Sequence, residues 1–241
     1  MGYSRSREYR VSASLPRCIS ELMSGKAALL ALVFLSAARV GLDAQETARR
    51  YTETHGQKVV TVEYRVTRAA EDATAGSTGG DTTELVRWHR GAGTVLWQMT
   101  DPAAGSVLQG ERNGNVIHVT GTLKNRKVER DVRVDGAPWY QVFGPLLEEL
   151  LPTGIDQKEF WVVDPGNLAP HKMQVKRTGT ERITIKGLAI DAARVHFSPA
   201  GALAPFWGAD YWYRHSDGMY ISSRLPENGG ITLTTIEDPD Q

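Results

Sequence analysis

The chain has 241 residues, of which 41% are hydrophobic, and its 28 basic and 28 acidic side chains cancel to no net charge. That apolar share excludes global disorder, and the length allows one or two packed domains. Without a basic run to neutralise a series of phosphates, nucleic acid is excluded as the expected partner.

The first feature along the chain is a twelve-residue apolar run, AALLALVFLSAA at 27–38, with Lys26 before it and Arg39 after it. At 1.5 Å per residue it falls roughly 12 Å short of spanning a bilayer, so it reads as the core of a signal peptide rather than an anchor. Cleavage after Ala44 in GLDAQE is the expectation, with Ala38 as a looser alternative. The long basic stretch ahead of Met23 makes Met23 the expected start. Residues 1–44 hold six Lys/Arg and three Asp/Glu, which leaves 22 basic and 25 acidic residues in 45–241. The single cysteine, Cys18, lies in that leader, so the exported part is free of disulfides, thiol catalysis and cysteine-bound metal. The expected destination is the periplasm or cell envelope.

After the leader, KVVTVEYRVTR alternates, with Val60, Val62, Tyr64 and Val66 on one side and polar residues on the other, the period of a half-buried strand. AAEDATAGSTGGD at 69–81 is small, polar and aperiodic, and predicts a flexible loop. Beyond it, short apolar runs separated by Asn-Gly, Asp-Gly, Thr-Gly and Lys-Gly pairs recur at intervals of about 8 to 12 residues, the habit of an antiparallel all-β domain. Thr178-Gly179 and Lys186-Gly187 are read as turns, as are Asn113-Gly114 and Asp217-Gly218. The sum is about 10–11 strands, too many for one flat sheet, so a curved antiparallel sheet closing into a half-barrel is expected over a single domain at 45–241.

One segment breaks the rhythm. In WYQVFGPLLEELLPTG, Phe143, Leu146, Leu147, Leu150 and Leu151 follow helical spacing, Pro145 suits a first turn and Pro152 stops the run. A short helix with a leucine stripe against the concave face would be a helical plug or lid.

No motif for catalysis is present: nucleophile elbows, phosphate loops and metal-spaced histidines are all missing. Asp210, His215 and Asp217 form the densest candidate acid/base group, but Asp210 and His215 stand on opposite faces of a strand some 16 Å apart at about 3.3 Å per residue. Asp217 with Gly218 has a turn to make. The aromatic stretch 204–224 therefore reads as a wall, with Tyr211 and Tyr213 on one face and Asp210, Trp212 and Arg214 on the other. Arg130 shares a face with Val128, Val132 and Val134; its stem can pack while its head reaches water, or it can meet an anionic headgroup.

Short antiparallel strands, a mid-chain apolar helix and the late hairpin DYWYRHSDGMYI together resemble the LolA-like family of periplasmic half-barrels, over most of 59–237. The resemblance implies a curved sheet that holds acyl chains or a lipidated partner on its concave face. No functional residue of that family transfers to a numbered position. The expected function is noncatalytic binding of a lipid or lipidated envelope protein, with peripheral membrane contact and no cofactor or metal. The candidate ligand-binding residues are Trp88, Trp97, Arg130, Phe143, Leu146, Leu147, Leu150, Tyr211 and Tyr213. A protein-interaction module with a filled core, and a barrel enzyme built around Arg130, are the alternatives.

Overall fold

A computed structural model describes residues 45–90, 92–141, 144–151, 154–227 and 230–240. The expected leader with its candidate cleavage points, and Phe143, lie outside them. Fourteen strands form one sheet: β1 (Gln45–His55), β2 (Lys58–Arg68), β3 (Asp72–Gly79), β4 (Thr82–His89), β5 (Gly93–Asp101), β6 (Ser106–Asn113), β7 (Val116–Leu123), β8 (Arg126–Arg133), β9 (Gln157–Val163), β10 (Pro170–Ile185), β11 (Leu188–Pro199), β12 (Ala209–Arg214), β13 (Tyr220–Glu227) and β14 (Gly230–Ile236). All neighbours are antiparallel, in the order 8-7-6-5-4-3-2-1-14-13-12-11-10-9. The sheet is thus two meanders, β1–β8 and β9–β14, fused where β1 pairs with β14, and its edges are β8 and β9. Over the described residues the chain is an almost all-β curved open sheet with one short α-helix, the class that the turn spacing predicts, built from fourteen strands rather than ten or eleven.

The differences from the sequence reading have local causes. The segment expected to be a flexible loop is strand β3, whose Ala73 and Ala75 are buried opposite Trp88 and Val86. Small inward residues leave room for those larger partners, at the cost of any hydrophobic signal. Thr178-Gly179 is a bulge rather than a turn: β10 runs unbroken for 16 residues, with its register against β11 shifting between Arg177 and Gly179. The plug helix is shorter than its leucine spacing suggests, with α1 (Gly144–Leu147) tightening into a 3-10 turn at Glu148–Leu150.

That segment nevertheless buries its stripe, since Leu146, Leu147, Leu150 and Leu151 all belong to the core cluster. It is pinned at one end of the strands by the Tyr213 hydroxyl donating to the Gly144 carbonyl at 2.5 Å, and by Arg68 donating to Glu149 at 3.1 Å and to the Pro145 carbonyl at 3.3 Å. Arg177 donates to the Leu151 carbonyl at 2.9 Å.

The seam between the two meanders is closed by residues 137–141, which reach from the start of β5 to edge strand β9. Trp139 makes parallel bridges to both Gly93 and Trp161. The Gln141 side chain then acts as a strand surrogate, its amide nitrogen donating to the Val163 carbonyl at 2.9 Å while its oxygen accepts from the Val163 amide at 3.3 Å. Edge β8 is dense in charge, RKVERDVR, which discourages pairing with another chain.

Candidate functional site

Register places one set of side chains on the inner face. Across β1, β2, β3 and β4, Arg49 pairs with Tyr64, Tyr64 with Ser77, and Ser77 with Glu84. Across β1, β14, β13 and β12, Glu53 pairs with Thr234, Thr234 with Ser223, and Ser223 with Tyr211. Since residues two apart on a strand share a face, Tyr51 and Glu53 look inward together. The floor of this region is aromatic: the Tyr51 ring stacks on Tyr220 at 5.0 Å and meets Tyr64 edge-on at 5.2 Å. The Tyr51 hydroxyl donates to the Tyr220 carbonyl, and the Tyr220 hydroxyl to Ser223 Oγ, both at 2.8 Å.

The leucine plug occupies the end where β2 and β12 finish. The opposite end carries the β1–β2, β3–β4, β7–β8 and β13–β14 turns and remains open: Glu53, Tyr64 and Glu84 face inward there yet are only half-buried. So are Leu123, Val128, Trp207 and Leu225, which pack against the core while keeping part of their surface exposed. This half-exposed inner collar, apolar with two carboxylates and a tyrosine, is the candidate site.

Its electrostatics centre on Glu84. Burial pushes its carboxyl up to about 7, opposed by the hydrogen bond that Trp97 Nε1 donates at 2.6 Å. Because part of the side chain is open, water screens a share of that penalty. Burial also raises the Tyr64 hydroxyl well above its ordinary value, and nearby Glu53 adds to the effect. Glu53 itself accepts from Thr234 Oγ1 at 3.5 Å. With its folded pKa above the unfolded one, Glu84 holds a proton in the native state that the unfolded chain releases, so stability falls as pH rises from about 4.5 towards about 7 and is flat beyond. Glu84→Gln keeps an acceptor for Trp97 and is expected to raise Tm relative to the parent by a few degrees at pH 8 and hardly at all at pH 4, measured by thermal denaturation at both pH values.

The sequence candidates fall in three places. Trp97 joins the collar as the donor to Glu84, and Tyr211 lies buried beside it on the inner face. Trp88 is buried farther toward the plug, opposite Ala73 and Thr94, with its indole nitrogen lacking a hydrogen-bond partner. Leu146, Leu147, Leu150 and Tyr213 belong to the plug and its anchor, where the leucines fill space rather than line an opening. Arg130 is exposed on edge strand β8 and donates to the Asn167 carbonyl at 3.1 Å, a strut across the seam. Sequence reasoning missed Glu53, Tyr64 as a site residue, and Glu84. A signal existed, since Glu84 stands in the same alternating file as Val86 and Trp88, the same anomaly that singles out Arg130.

Asp210, His215 and Asp217 do not converge. Asp210 is held on the outer face by Arg194 and His196, each at 2.8 Å, while Asp217 pairs with Arg214 and also accepts from the Met219 amide at 3.1 Å. Among the described residues, no three His, Cys, Asp or Glu side chains are grouped to hold a metal ion. Nor is any helix among them long and apolar enough to cross a membrane.

Fold and collar together define a β-barrel-like protein. Among solved structures, the chain is similar to the crystal structure of a β-barrel-like protein of the domain of unknown function DUF1849 from Brucella abortus, at 9% identity and a TM-score of 0.50, over 78% of this chain and 94% of that one. At that identity the likeness speaks to the fold alone. No family model matches the chain, and no curated protein matches it either.

Proposed function

We propose that this is a noncatalytic binding protein of the cell envelope that holds an amphiphile, a lipid or a lipidated partner, in the open end of its half-barrel. The observation that carries the reading is the collar: inward-facing Tyr64, Leu123, Val128, Trp207 and Leu225 pack on the core yet remain partly exposed at the end away from the plug. An acyl chain covering them gains about 0.8 kcal/mol per buried methylene. Glu53 and Glu84 at the same end suit a headgroup that donates hydrogen bonds or carries positive charge. The resemblance to LolA-like half-barrels supports the same reading, and the signal-like run at 27–38 supports export.

The buried, pinned leucines favour a second reading, a filled-core module that binds proteins through its outer surface. Titration with a fluorescent long-chain alkylamine separates the two. Saturable uptake is expected, weakened at least about tenfold, or 1.4 kcal/mol, by Leu225→Asp with circular dichroism unchanged. Absence of uptake by the parent protein contradicts the binding reading and leaves the interaction module.

A further inference from the structure

Residues 199–208, PAGALAPFWG, form the link between β11 and β12 at the rim of the open end and contain no charged or hydrogen-bonding side chain except the Trp207 indole. That indole is already committed: its nitrogen donates to the Pro226 carbonyl at 3.2 Å, and its ring meets Phe197 edge-on at 5.4 Å. Its neighbour Phe206 is left 82% exposed, the largest exposure of any bulky apolar side chain described. Pro226 is the register partner of Ile231, and Leu233 lies two residues farther along β14, separated from Val59 by Thr54. Ile231, Leu233 and Val59 are 42%, 44% and 63% exposed. An apolar surface therefore runs from the rim loop onto the outer face of β13, β14, β1 and β2. A patch of this kind marks an interaction surface rather than ordinary scatter.

Its charged neighbours decide the partner. Arg224 stands beside Leu233 in register, and Lys58 precedes Val59; both are exposed, and neither makes an ion pair among the described residues. Asp210, the register partner of Arg224 on β12, is held by Arg194 and His196. An exposed aromatic on a chargeless loop, continued by an apolar patch that carries unpaired basic side chains, is the combination that seats a protein at the headgroup level of an anionic bilayer.

We infer that the rim loop with exposed Phe206, together with Arg224 on the adjoining strand β13 and Lys58 at the far side of the patch on β2, docks this protein on an anionic lipid surface with the open end of the half-barrel toward the membrane. The orientation gains its purpose from the amphiphile-binding reading, on which it rests, because ligand would then pass between bilayer and collar without crossing water.

The test is co-sedimentation of the purified protein with vesicles of phosphatidylcholine alone and of phosphatidylcholine with roughly one-third phosphatidylglycerol, because each basic residue near an anionic surface adds to binding. Binding to the anionic vesicles is expected, weakened about tenfold by Phe206→Ser and severalfold by Arg224→Glu or by raising salt from about 0.1 to about 1 M. Both variants change exposed side chains and should keep the parent's Tm and its alkylamine uptake in solution. Failure to bind either vesicle while the alkylamine still binds overturns docking and spares the ligand reading; loss of both removes both. Concentration-dependent self-association abolished by Phe206→Ser, without vesicle binding, assigns the patch to a protein interface and overturns the inference equally.

Discussion

Replacing Trp139 by alanine is expected to destabilise the protein by about 3–5 kcal/mol, the range for removing a large aromatic from a core that cannot collapse. Trp139 is fully buried although it belongs to no regular strand. Its ring lies over Gly110, where an added Cβ would stand 3.1 Å from it and 3.2 Å from Trp97, so the two indoles and the bare backbone form one packed layer. Its indole nitrogen donates to Gln141 Oε1 at 3.2 Å, the same oxygen that accepts from the Val163 amide. The truncation thus opens a cavity and also loosens the side chain that covers the β9 edge. Trp212→Ala is the control. That indole sits half-exposed on the outer face, donating to Glu181 at 2.6 Å, and its loss should cost about 1 kcal/mol. Urea denaturation of the three proteins checks both values, and equal losses would mean that the seam is not closed by Trp139.

Gly93→Ala is expected to cost at least about 3 kcal/mol. Gly93 has φ +84°, and a Cβ there would drive into the carbonyl oxygen of Trp139. That oxygen accepts from the Thr94 amide at 2.7 Å, so the chain cannot yield without giving up the bridge that ties β5 to residues 137–141. Gly114→Ala isolates the conformational part. It has φ +58° in the β6–β7 turn with nothing within 4 Å of a Cβ, and should lose only about 1 kcal/mol. The difference between the two variants in denaturant midpoint measures the close approach at the seam.

Much of this architecture was legible in the sequence because alternation and turn chemistry are local properties. The Val60 to Val66 file, the Asn113-Gly114 and Lys186-Gly187 turns, and the inward Tyr211 and Tyr213 all stand where their spacing puts them. What escaped depends on neighbours. Strand β1 has a single apolar inward residue, Tyr51, and is specified by pairing with β2 and β14 rather than by its own pattern. Strand β3 is small-faced because Trp88 and Val86 stand opposite, and β9 is stabilised at its edge by the Gln141 side chain. The collar was hidden for the same reason. Glu53 and Glu84 come from strands β1 and β4 and share only Tyr64 as a neighbour on the curved sheet, whereas Leu146, Leu147 and Leu150 announce themselves by helical spacing and stand buried in the core.

The claim that the open end holds an amphiphile is tested most directly by native mass spectrometry of the protein drawn gently from the membranes of the cells that make it. The account predicts a population heavier than the bare chain by one amphiphile, which dissociates intact and is lost in the Leu225→Asp variant while Tm is held. A bare mass alone, unchanged after incubation with a long-chain alkylamine or a lipid extract, would contradict it.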